Sequence, residues 1–184
     1  MATVSYGCKI INENHIFDHT IKVYRDAVRY LSDIVTLHYK ELAVIHKTDS
    51  ATAQQMRQRF MECLVHGTKE HAAVYPAFDK RFYKFPSYLR RDAINTAIGK
   101  VFAYRSWVAN WEEGGRQGRH PFLNRNQDVM PCFYRKNTFL QNESMIAVKL
   151  YDGHDWIWHT VVIRDTDFWY ALKNVSDWKE SAPM

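Results

Sequence analysis

Cysteine is scarce in this chain, with three in 184 residues: Cys8, Cys63 and Cys132. They are far apart and odd in number. That excludes a disulfide framework and a CxxC metal or redox pair, and it fits a reducing, cytoplasmic setting. No apolar run approaches the roughly 20 residues of a membrane-spanning helix, so no membrane partner is expected, and the N-terminus lacks the apolar core of a signal peptide. Glycine and proline are few, at seven and five, which argues against a disordered chain. No internal repeat or low-complexity segment is evident. There is no GxxxxGK[ST], GxGxxG or GxSxG, hence no recognisable phosphate cradle or nucleophile elbow. Nor is there a carboxylate set of the kind two-metal phosphodiester hydrolysis needs.

What is present is a folded composition: 46% hydrophobic and 15% aromatic, with a net charge of +5. The length fits one or two domains with a real core. Residues 80–136 carry twelve Lys and Arg against four Asp and Glu, a local excess of eight positive charges, which leaves the rest of the chain at −3. Clustering of that kind is the footprint of a phosphate-binding surface. A solvated basic face without a ligand is the plain alternative.

One stretch organises the chain, residues 85–111. Pro86 suits helix entry and Ser87 can cap it, and Gly114-Gly115 ends it. From Leu89 to Trp111 it would run about 35 Å. Leu89, Ala93, Ile94, Ala97, Ile98, Val101, Tyr104, Val108 and Trp111 form one apolar stripe. The far side carries Asn95, Thr96, Gly99, Ala103, Ser106 and Asn110, small residues where Lys and Glu are usual. Gly99 costs a helix about 1 kcal/mol relative to Ala, so something should compensate for it. Either another helix packs closely there or a nucleic-acid backbone approaches, helped by Arg90, Arg91 and Arg105.

Before this helix, residues 2–11 alternate as a strand. A long helix is predicted from Asp18 to about His46 and another from Ala51 to about His66, broken and capped by Thr48-Asp49-Ser50. Residues 75–86 interleave bases with aromatics, a mix that suits base stacking or ordinary packing. After the helix, the flexible basic loop Gly114–Pro121 marks a boundary. Beyond it the period changes from 3.6 to 2. Strands are predicted over Val129–Tyr134, Met145–Leu150 and Trp156–Ile163, the last two joined at Asp152-Gly153. A short helix is predicted from Asp165 to about Asn174. The first strand has no neighbour in sequence and is expected to pair with strands after residue 128. The expected fold is therefore α+β: a small antiparallel sheet or barrel, residues 1–17 and 120–184, with a bundle of about three helices inserted as residues 18–119.

Few constellations suggest chemistry. His154 and His159 would point to opposite faces of a strand, and a packed, hydrogen-bonded His159 beside Ile157, Val161 and Ile163 is the simpler reading. His15 and His19 share a helix face with nothing to complete a metal set. Asp49, Glu62 and Glu70 read as solvated charges. No cofactor, metal or catalytic residue is assigned. A hydrolase using His154, Asp155 or Cys132 has little support.

The run Phe85–Ala97, followed by Tyr104-Arg105-Ser106 and Asn110-Trp111-Glu112, resembles the N-terminal half of TnpB (OrfB-type) transposon proteins, relatives of the type V CRISPR nucleases. Met130–Arg135 and the Trp156–Val162 strand resemble the same region. The resemblance implies a wedge β-barrel interrupted by a helical recognition lobe. It implies as partners a guide RNA from the transposon end and double-stranded DNA beside a short target-adjacent motif. By the same resemblance Tyr88 and Arg91 lie nearest that motif, Ser87, Arg90 and Asn95 beside them, and Lys100 and Arg105 against phosphates. The family's RuvC nuclease half, with its acidic residues and zinc ribbon, has no counterpart in this sequence, so binding without cleavage is expected, with the RuvC-like half belonging to a full-length protein. A helical protein–protein interaction module is the alternative.

Overall fold

The computed structural model describes residues 9–11, 15–47, 51–125, 128–133, 139–142, 145–164 and 166, with backbone alone for 139–142. The chain is α+β. It divides into two units, Val23–Pro131 and the pair of segments Met1–Lys22 and Cys132–Met184; the sequence placed the divisions at 17/18 and 119/120. No described helix is long and apolar enough to cross a membrane.

The unit Val23–Pro131 is helical. Helix α1, Asp18–Leu37, buries Tyr24, Ala27, Val28, Leu31, Ile34 and Val35, the spacing of one amphipathic face. It does not continue to His46 as the sequence suggested. His38 leaves helical geometry (φ −97, ψ 17) and α2, Tyr39–Ala43, follows. Ser32 Oγ donates to Val28 O and Thr36 Oγ1 to Ser32 O, each 2.7 Å. Such back-bonding bends a helix, and the His38 ring is held by Tyr75 OH at 2.8 Å.

Helix α3, Ala53–Val65, begins with a capping box. Thr52 Oγ1 accepts from Gln55 N, and Gln55 Oε1 accepts from Thr52 N. Thr52, rather than the 48–50 triplet, is therefore the cap; those three lie outside the described residues. Helix α4, Ala77–Arg81, falls in the stretch that interleaves bases with aromatics. Its aromatics are core: Phe78, Phe82 and Phe85 are buried and pack edge-on or tilted against one another and Tyr30. Among the aromatics of that interleaved set, Tyr83 alone stands well exposed, at 69%.

Helix α5, Ser87–Glu113, is the organising helix. Pro86 occupies the cap position and Ser87 is the first helical residue, with no side-chain cap bond. This corrects the expected Ser87 cap: proline's fixed φ already sets the entry. Gly114 ends the helix, and Gly115 follows at φ 76.

The second unit holds an antiparallel meander: β1 Phe139–Asn142, β2 Met145–Tyr151 and β3 Trp156–Val162, in the order β1-β2-β3. Val148 pairs with His159, and Leu150 with Ile157. The Asp152–Asp155 turn is closed by Asp152 Oδ1, which accepts from the backbone N–H of His154 and Asp155 at 2.8 Å each. Those two bonds hold the exposed Asp152 carboxyl below its ordinary value. Gly153 supplies the positive φ of 107.

The strand expected over 129–134 is absent from 129–133, and Tyr134 lies outside the described residues. Pro131 cannot donate a ladder bond, and Val129 O accepts from Arg25 Nε instead. Strand β1, further on, was not anticipated. The expected 165–174 helix and residues 2–8 of the first strand fall outside the described residues, Thr166 apart. The end of that first strand does pair as expected. Ile10 bridges Ile163, flanked by Ile11 N to Val162 O at 2.9 Å and Arg164 N to Lys9 O at 2.8 Å. Thr20, fully buried, accepts from Tyr151 N at 2.7 Å, and Phe17 packs edge-on to Phe133.

Candidate nucleic-acid interface

The apolar stripe of α5 is buried only along its first half. Leu89, Ala93, Ile94, Ala97, Ile98 and Val101 are buried, whereas Tyr104, Val108 and Trp111 are partly exposed. On the opposite side Gly99, Ala103, Ser106 and Asn110 are exposed, and a Cβ added at Gly99 would meet nothing within 4 Å. Among the described residues, therefore, no protein group compensates for this mid-helix glycine. Trp107 stands beside them, 60% exposed.

The seven residues singled out from sequence separate into distinct environments. Tyr88, Arg91 and Asn95, three and four positions apart, share a face. The Arg91 guanidinium lies 5.8 Å from the Tyr88 ring centre, its Nε donates to Glu62 Oε2 at 3.2 Å, and its side chain is 47% exposed. Asn95 is bonded to Gln54 of α3 at 2.9 Å. Ser87 is exposed at the helix start.

Arg90 faces the other way. It is buried, and its Nη2 donates to Glu62 Oε1 at 3.1 Å. This corrects its expected place beside the DNA motif: it is a core cation neutralised by Glu62. Glu62 is likewise no solvated charge, being 19% exposed and shared by both arginines. Lys100 is half-buried; burial first, then the nearby Arg29 guanidinium, hold its ammonium below the ordinary lysine value. Arg105 stacks over Tyr39 at 5.0 Å with its Nε buried. Tyr39 in turn meets Phe102 edge-on, and Arg57 caps Phe102 at 4.5 Å. Arg105 is thus one end of a cation–aromatic ladder, a role that sequence reading assigned to phosphate contact.

Further carboxylates temper the basic excess of residues 80–136. Arg125 pairs with Asp33 at 2.8 Å and Arg116 with Glu112 at 3.8 Å. At the near end of α5, Tyr24 OH donates to Asp92 Oδ2 at 2.6 Å and lies 3.1 Å from Thr96 Oγ1, so Thr96 is engaged on the α1 side. Sequence reading missed Glu62, Gln54 and the Arg57–Phe102–Tyr39 ladder. Each lies tens of residues from its partner, beyond the reach of any local pattern. Trp107 could have been found, because it sits off the apolar stripe.

The geometry offers donors and a slim surface: Arg91 at the head, Asn95 beside it, and a low, uncharged strip running on to Asn110. Residues 4–152 match the model of the Aq_aa04 family, and the chain belongs to that family. No curated protein and no solved structure matches.

Proposed function

Taking membership of the Aq_aa04 family as the premise, we propose that this protein binds nucleic acid through the outer face of α5 and α3, and does not cut it. In this reading it is the wedge and recognition region of a TnpB-like, RNA-guided transposon nuclease. It holds guide RNA and the duplex beside a target-adjacent motif in the cytoplasm, and strand cleavage falls to a separate RuvC-like half. The observation that carries the reading is the open strip from Gly99 to Asn110, headed by the half-exposed Arg91. A strip without side-chain bulk lets a sugar–phosphate backbone come close to the helix. An arginine fork supplies the charge-assisted donors that phosphates and guanine edges accept.

The test is fluorescence anisotropy with structured RNA and duplex DNA across a salt series. Binding should weaken steeply with salt. Arg91→Ala and Tyr88→Ala should each weaken it about tenfold while circular dichroism stays that of the parent. Parent-like binding by both variants at low salt removes the assignment. A second reading, a helical protein-interaction module, is favoured by Trp107 at 60% exposure. Association through that surface would be nearly insensitive to salt.

A further inference from the structure

Glu62 lies on the last turns of α3, 28 positions before Arg90 in sequence, yet its carboxylate sits between Arg90 and Arg91. The two arginines use it differently. Arg90 spends a terminal nitrogen on it inside the core. Arg91 approaches edge-on, through Nε alone, at 3.2 Å to Oε2 and 3.4 Å to Oε1. Its two terminal nitrogens carry no hydrogen bond among the described residues. Tyr88 lies along the guanidinium at 5.8 Å. An arginine tethered at Nε and flanked by a ring gives up rotamer freedom before any ligand arrives, and at 47% exposure its side chain stays open to one. One turn further along α5, Gln54 of the same α3 fixes the Asn95 amide at 2.9 Å. Helix α3 thus braces the two outward polar groups of α5 that share a face.

We propose that Glu62 is a positioning residue. It pre-orients the Arg91 fork so that the fork receives two fixed acceptor atoms on a nucleic-acid duplex: the O6 and N7 edge of a guanine or a pair of phosphate oxygens. This rests on the nucleic-acid reading above and adds to it a part for a residue that touches no ligand. Preorganisation of this kind gives discrimination, because a fork held at one angle accepts one acceptor geometry. The buried Arg90 holds the Glu62 carboxylate in place at 3.1 Å, so the pair serves both core and site.

The test uses the full chain. Glu62→Gln alone leaves Arg90 buried without a counter-charge and could unfold the unit, so the informative variant is E62Q/R90M, which removes both charges of the buried pair. Two measurements are made. The first, without nucleic acid, is the NMR signal of the Arg91 Nε–H. It should be distinct and protected in the parent and move to the position of a free arginine in the double variant. The second is affinity for three 20-bp probes: a dG·dC duplex, the same duplex with 7-deazaguanine, and the same duplex with methylphosphonate linkages. The parent should disfavour one altered probe by about tenfold. Loss on 7-deazaguanine identifies a base edge, and loss on methylphosphonate identifies phosphate. E62Q/R90M should lose that discrimination. A double variant that discriminates as the parent does, or whose Arg91 signal is unmoved, overturns the positioning role even when Arg91→Ala confirms the site. If Arg91→Ala itself binds and discriminates like the parent, the site assignment and this inference fall together.

Discussion

The two halves of α5 obey the same helical pattern and meet opposite surroundings. From Leu89 to Val101 the stripe is sealed, and the polar residues around it are claimed: Arg90 and Arg91 by Glu62, Asp92 and Thr96 by Tyr24, Asn95 by Gln54. From Phe102 to Glu113 the stripe is at best partly covered, and Ala103, Ser106, Trp107, Ala109 and Asn110 are exposed. An amphipathic pattern states which residues want cover, not how far the cover extends. The first half is scaffold on its inner side and carries the braced Arg91 and the open Gly99 on its outer side. The second is surface carried on that scaffold, where a partner can be met at little cost to the fold.

The sharpest way to break this comparison is a matched pair of truncations. Ile94→Ala in the sealed half should cost about 2–5 kcal/mol in urea unfolding. Val108→Ala on the same stripe should cost under about 1 kcal/mol. Equal losses would mean that the two halves are packed alike. Next comes Gly99→Ala. The site is helical and open, so alanine should raise stability by about 0.5–1 kcal/mol, and the added methyl should weaken nucleic-acid binding if a backbone lies there. A destabilised Gly99→Ala would point to an intramolecular neighbour at that position.

The smallest effect is at Lys100, where the cover runs out. Its folded pKa is lowered from 10.5 by burial and then by Arg29. Between that lowered value and 10.5 the unfolded chain binds more protons than the folded one, so this lysine makes stability rise with pH across that window. Lys100→Met should flatten the rise relative to the parent in a pH series of thermal melts. An identical pH slope in parent and variant would mean that Lys100 is as solvated as an ordinary surface lysine.

Sequence reading went furthest where periodicity is strong and local. Helix α5 lies within two residues of its expected ends, β2 and β3 within one, and the turn at Asp152-Gly153 falls where expected. It failed where a tertiary partner decides. At the break, the His38 ring is bonded to Tyr75, 37 positions on. Interleaved bases and aromatics over 75–86 looked equally like stacking platform and core, and burial of Phe78, Phe82 and Phe85 assigns those three to the core. At the candidate site, the resemblance named Tyr88 and Arg91, whereas residue type and spacing treated Arg90 and Arg91 alike. Adjacent positions on a helix diverge by about 100°, and only Glu62 reveals which one turns inward.

The bridge between Ile10 and Ile163 has a consequence for how the molecule is made. The pairings described in the helical unit can form once position 131 has left the ribosome, but Ile10 must wait until position 163 emerges. At about 5–20 residues per second that delay is on the order of ten seconds. During that interval Ile10 lacks the partner that Ile163 supplies in the folded chain.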